Sequence, residues 1–158
     1  MELGAGCGLV GIAAGILGAE QVILTDLPHA LPLIRKNIDS HRSALKQSGC
    51  QSMTSMACDW FRPLPGDLDS FHPNVILVAD CVWMQELVDP LLATMKRLTD
   101  DDGDRQQVLI SYQRRGKPTH EEFISGLYSL FTHVREVDTY ATCSLKKPES
   151  LYIFDCRR

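Results

Sequence analysis

Four glycines fall within the stretch Gly4-Ala5-Gly6-Cys7-Gly8-Leu9-Val10-Gly11, directly ahead of an apolar run, and Thr25-Asp26 closes the next apolar run 20 residues beyond Gly6. Glycine at alternate positions lets the backbone turn tightly and approach a ligand with no Cβ in the way. The helix that follows aims its unpaired N–H groups at that ligand. An acidic side chain ending the next strand can accept hydrogen bonds from both hydroxyls of a ribose. The pattern therefore constrains the chain to a strand, glycine turn, helix and second strand, with a nucleotide-type cofactor at the turn.

The remaining elements agree with that start. Residues 9–17 are apolar almost all round, as in a helix buried against a sheet, with Gly11 and Gly15 permitting close approach and Gly18 as the left-handed stop. Val22-Ile23-Leu24 is a short strand, and Leu31, Leu33, Ile34 and Ile38 recur at helical spacing. A strand is expected near 52–58, and Val75-Ile76-Leu77-Val78-Ala79 reads as a parallel strand buried on both faces. Leu87, Leu91, Leu92, Met95 and Leu98 mark a helix that ends before an acidic loop at 100–104. A strand at 108–112, a helix at 121–131 and strands at 134–137 and 151–154 complete the chain. Only the loop 142–150 separates the last two strands, so they form an antiparallel hairpin. Alternation of strands and helices gives an α/β fold with a mostly parallel twisted sheet, as one domain spanning residues 1–158.

Composition narrows the partners. Hydrophobic residues make up 44% and charged residues 23%, which excludes a disordered or fibrous chain. A net charge of −4 provides no field to attract nucleic acid or an anionic membrane, and no apolar run approaches the roughly 18 residues of a membrane span. The partner is a protein or a small molecule. Cys7, Cys50, Cys58, Cys81, Cys143 and Cys156 show neither C-x-x-C spacing nor a nearby histidine pattern, so no metal is expected and the thiols read as reduced, in a cytosolic or nuclear compartment. The 100–104 loop lacks the offsets of a calcium loop, and Arg114-Arg115-Gly116-Lys117 reads as a solvated loop.

Gly6-x-Gly8-x-x-Gly11 also matches the dinucleotide fingerprint, which leaves an NAD-dependent oxidoreductase open. Three features favour S-adenosylmethionine (SAM). Glu2 precedes the first glycine, where the methionine end of SAM is accommodated. Asp59-Trp60 follows the third strand, where a carboxylate can meet the adenine amine and an aromatic edge can flank the ring. Ala79-Asp80-Cys81-Val82-Trp83 sits at the carboxyl end of the fourth strand, where open α/β sheets place ligands.

Residues 2–12, Thr25-Asp26-Leu27, Asp59-Trp60, Val78-Ala79-Asp80-Cys81-Val82-Trp83 and Pro90-Leu91-Leu92 resemble the seven-β-strand protein lysine methyltransferases of methyltransferase family 16. The likeness runs from residue 2 to about residue 98, with weaker echoes at Tyr112-Gln113-Arg114-Arg115 and Ser150-Leu151-Tyr152-Ile153-Phe154. It implies a Rossmann-like SAM-methyltransferase sandwich and a protein substrate methylated on lysine; the chain is expected to be a monomer. It also implies SAM contacts at Gly4, Ala5, Gly6, Asp26, Trp60 and Ala79, to which the residue reading adds Glu2 and Asp59. The family's acidic-x-x-aromatic signature is carried here by Asp80 and Trp83, the expected catalytic pair: Asp80 docks the ammonium and Trp83 offers it a π face. Family members have a segment ahead of the glycine loop that completes the first strand. With only Met1-Glu2-Leu3 before that loop, the expectation is a truncated first strand and a chain that is a fragment or a degenerate member. A small-molecule N-methyltransferase and a catalytically inactive homologue are the alternative readings.

Overall fold

The computed structural model describes residues 1–100, 106–138, 148 and 150–158. Most of the acidic 100–104 loop and of the 142–150 loop, with Cys143, lies outside the described residues. The chain divides into two compact units, Met1–Pro65 and Gly66–Arg158.

The first unit runs β1 (Glu2–Leu3), α1 (Leu9–Ile16), β2 (Gln21–Asp26), α2 (Leu31–Ser40), α3 (Arg42–Gln47) and β3 (Ser52–Ala57). Its strands are all parallel, with β2 in the middle: Glu2 lies opposite Leu24, and β3 pairs with β2 from Ser52 opposite Gln21 to Ala57 opposite Asp26. Ala5, Ile12, Val22, Leu24, Leu31 and Ile34 form its core. Helix α1 buries one face through Gly11, Ile12 and Gly15, while Leu9 and Leu17 are 71% and 87% exposed. The expectation of an all-round buried helix thus holds for one side only, since a helix laid on a sheet spends only a stripe on it. Its stop is as expected: Gly18 takes φ 104, its N–H reaches the Gly15 carbonyl, and the Ala19 N–H reaches that of Ala14. Short α3 has too few residues to announce a period. It is fastened to α1 by the Ser48 hydroxyl, which donates to the Gly15 carbonyl at 2.8 Å.

The second unit contains α4 (Gly66–Asp69), β4 (Val75–Ala79), a 3-10 turn (Gln85–Leu87), α5 (Val88–Thr99), β5 (Gln107–Gln113), α6 (Lys117–Leu130), β6 (His133–Glu136) and β7 (Leu151–Arg157). Strand β5 is parallel to β4 and antiparallel to β7, which is antiparallel to β6. The expected hairpin of β6 and β7 is present, with β7 seated on β5. Ile76 and Val78 are fully buried whereas Val75, Leu77 and Ala79 are only partly covered, so β4 buries one face more deeply than the other. Helix α6 begins at Lys117 instead of residue 121, because its polar first turn, with Pro118 near the start, precedes the apolar positions that reveal the period. Asp155 joins three strands: burial opposes its charge, but hydrogen bonds from Gln107, Arg135 and Arg157 prevail and hold its carboxyl below the usual range. Among the described residues no helix is long and apolar enough to cross a membrane.

Gly11 is the tightest junction of the first unit. A Cβ there would stand 2.0 Å from Leu24 Cδ2 and 2.7 Å from Glu2 Oε2, both on buried residues. Gly11→Ala is expected to destabilise by about 1–3 kcal/mol in urea unfolding, whereas Gly66→Ala, with open space at its Cβ position, should stay within about 0.5 kcal/mol.

Candidate functional site

The turn between β1 and α1 is built from left-handed backbone. Gly4, Gly6 and Gly8 have φ of 61, 56 and 82, a region closed to most side chains. The Ala5 N–H donates to the Thr25 carbonyl at 2.9 Å, and the Gly8 N–H to the Ala5 carbonyl at 2.7 Å. The Gly6 N–H donates to Asp26 Oδ2 at 2.7 Å, and the Leu27 N–H to Oδ1 at 2.7 Å. Asp26 is therefore the tie between the loop and β2, and the cap position of α2 belongs to Ala30. A carboxylate offers about four acceptor positions, so Asp26 can keep both bonds and still receive hydroxyl groups. Nothing lies within 4 Å of the position a Cβ would take at Gly6, so this bend presents bare backbone to open space.

Glu2 is only 2% exposed, and its Oε2 accepts the Gly11 N–H at 2.9 Å in the first turn of α1. Burial pushes its carboxyl up from an ordinary value near 4.5 to about 7, against the pull of the Gly11 N–H. After β3, the Cys58 N–H donates to the Asp26 carbonyl at 2.8 Å, so the next residues leave the sheet beside Asp26. Asp59 holds its own turn, accepting the Phe61 N–H at 3.1 Å and pairing with Arg62 at 3.3 Å. Trp60 is half-buried, and its Nε1 is shielded from water with no hydrogen-bond partner. A buried indole N–H without an acceptor is costly, so this atom marks where a ligand acceptor fits. Bare backbone at Gly6, spare acceptor capacity on Asp26 and the unpartnered Trp60 donor together suit an adenosyl cofactor. The Cys58 thiol is pushed up to about 11 by burial and by Asp59 and Asp26, which leaves it unreactive.

In the second unit, Ala79 ends β4 and Asp80 follows with φ 54, the one non-glycine in the left-handed region among the described residues. Such backbone costs of order 1 kcal/mol or more and persists where its surroundings enforce it. Here the Asp80 N–H is held by the Ser111 carbonyl at 2.8 Å. Cys81 and Val82 then turn inward and are buried, while Trp83 is 57% exposed. Asp80 caps no helix: the N-cap of the 3-10 turn is Met84 and that of α5 is Leu87. Core packing does not account for Trp83 either.

Arg115 is the residue that sequence reasoning missed. Its Nη2 lies 2.6 Å from Asp80 Oδ2, and the pair is partly exposed. The signal was present in the parallel pairing of β4 and β5, which sets Ala79 opposite Ser111 and so brings the residues past both strand ends together. Gly4, Ala5, Gly6, Asp26, Asp59 and Trp60 thus gather at the carboxyl ends of β1, β2 and β3 in one unit, while Glu2, within β1, lies buried behind them against α1. Ala79, Asp80, Trp83 and Arg115 gather past β4 and β5 in the other.

A family model described as lysine methyltransferase matches residues 1–129. Protein N-lysine methyltransferase METTL21A of Danio rerio is 33% identical over 141 residues, covering 87% of this chain and 58% of that protein. METTL21A of Xenopus tropicalis is 32% identical over 122 residues, covering 77% and 52%. Protein-lysine N-methyltransferase rrg1 of Schizosaccharomyces pombe is 32% identical over 109 residues, covering 65% and 35%. The chain thus spans about half, or less, of the length of these curated relatives. Among crystal structures, the S-adenosylmethionine-dependent methyltransferase SibL superposes with a TM-score of 0.65 at 17% identity, over 99% of this chain and 49% of that one. The glycopeptide N-methyltransferase MtfA gives 0.67 at 10% identity, over 99% and 82%. The fold is the Rossmann-like α/β fold of these methyltransferases.

Because the carboxyl of Glu2 is raised in the folded state, folding binds a proton at this site between pH 4.5 and about 7. The stability it contributes is complete below the lower value and is lost as pH rises through the upper one. Glu2→Gln is expected to remove that slope, gaining on the wild type by about 3 kcal/mol across the interval in urea unfolding series at several pH values.

Proposed function

The chain belongs to the lysine methyltransferase family, and on that footing we propose that it transfers a methyl group from SAM to the ε-amino group of a lysine in a protein. The observation that carries this reading is Asp80, a carboxylate held in strained backbone at the end of a parallel strand, three residues ahead of an exposed tryptophan. The two units read as parts of one methyltransferase domain, since the structural likeness spans 99% of the chain.

SAM supplies an electrophilic methyl on a positively charged sulfur. The Gly4-Ala5-Gly6 turn would hold it on its backbone, Asp26 would accept its ribose hydroxyls, and Trp60 would offer an aromatic edge and an unpartnered N–H. Glu2 sustains the loop from the first turn of α1, Asp59 shapes the turn that carries Trp60, and Ala79 ends the strand that delivers Asp80. Bound there, SAM would supply its methyl to a lysine nitrogen, the C–S bond breaking with its electron pair left on sulfur. Alignment of the three atoms and exclusion of water supply much of the acceleration. A lysine near its reference pKa of ~10.4 must first release a proton to solvent. Asp80 orients that amine and Trp83 packs its π face on the cation.

Isothermal titration should give micromolar SAM binding and none for NADH; the reverse would make the chain an oxidoreductase. Asp26→Ala should weaken SAM by at least tenfold, the worth of one or two hydrogen bonds to a charged acceptor. Asp80→Ala should cut tritium transfer to lysine by at least about 100-fold while SAM affinity stays within about threefold. Unchanged turnover in that variant would remove Asp80 from the site.

A further inference from the structure

A lone carboxylate beside a lysine ammonium works against the reaction, because an opposite charge favours the protonated form and the nitrogen needs its lone pair. Asp80 is not alone. Arg115 Nη2 sits on its Oδ2 at 2.6 Å, and among the described residues no hydrogen bond or ion pair reaches Oδ1. The contact is charge-assisted and short, yet half open to solvent, so it adds little to folding stability. Its consequence lies in the charge offered to a neighbour.

We propose that Arg115 is a positioning residue for methyl transfer: by holding Oδ2 it leaves Oδ1 to orient the amine, and its charge offsets the carboxylate so that a docked lysine sheds its proton more readily. This rests on the role given to Asp80 above. The equilibrium concerned is loss of one proton from the ammonium to water, the bonding pair staying on nitrogen. Among the described residues few charged and titratable groups act on the pair. Tyr112 of β5 acts on Arg115, and Arg114, just past β5, and Tyr152 of β7 act in turn on Tyr112, whose hydroxyl burial pushes above its usual range. None of them replaces the guanidinium on Asp80.

Removing Arg115 exposes the lysine to the full carboxylate. With a half-exposed pair, the rise in the pH midpoint of the rate belongs to the low end of charge-pair effects, about 0.5–1 pH unit. Below the midpoint that is a three- to tenfold loss of rate, accompanied by an unchanged or lower KM for the acceptor.

The test is the pH dependence of tritium transfer from SAM to poly-L-lysine by wild type, Arg115→Ala, Arg115→Lys and Asp80→Ala. An alkaline shift in Arg115→Ala, with Arg115→Lys close to wild type, is the expected result. Superimposable profiles for wild type and Arg115→Ala overturn the role of Arg115 and leave the methyltransferase reading intact. Wild-type transfer no greater than that of Asp80→Ala overturns the role of Asp80, and the role of Arg115 with it. A merely structural Arg115 would lower rates at every pH without moving the midpoint.

Discussion

The hydrogen bond from the Gly6 N–H to Asp26 Oδ2 is the contact on which the first unit turns. It joins residues 20 apart and holds a loop whose three left-handed glycines would otherwise have many conformations open to them. Through it the bend after β1 and the end of β2 become one surface. The Cys58 N–H, bonded to the carbonyl of the same Asp26, brings the end of β3 to that surface as well. One acidic residue therefore arranges three strand ends and keeps acceptor capacity to spare.

Behind that surface lies a less common arrangement. A carboxylic acid at Glu2 is buried against the first turn of α1 and bonded to the Gly11 N–H, in a gap that exists because residue 11 has no side chain. Negative charge near a helix N-terminus is favourable, but burial opposes ionisation, and burial is the larger influence here. Gly11 thus leaves room for both Glu2 and Leu24, the two side chains that a Cβ at residue 11 would meet.

The second unit uses charge differently. Asp80 is strained in its backbone, anchored by Ser111 and engaged by Arg115, while Cys81 and Val82 are buried and Trp83 stands exposed. The alternation of buried and exposed residues just past a strand end aims two chemically distinct groups outward from a rigid base.

Much of this was open to a reader of residues alone, because the signals are local. Glycines at 4, 6, 8 and 11, an aspartate after the next apolar run, and the period of residues 31–38 each report on their own backbone, and the strands and the terminal hairpin followed from them. Short or polar segments did not report: α3 is too brief for a period, and the first turn of α6 carries no apolar mark. The partners of side chains were invisible for another reason. That Asp26 ties the loop, that Glu2 lies buried beneath Gly11 and that Arg115 meets Asp80 all depend on the pairing register between strands far apart in the chain. Position along one strand is written in its own residues, whereas what faces it is set by the packing of the whole sheet.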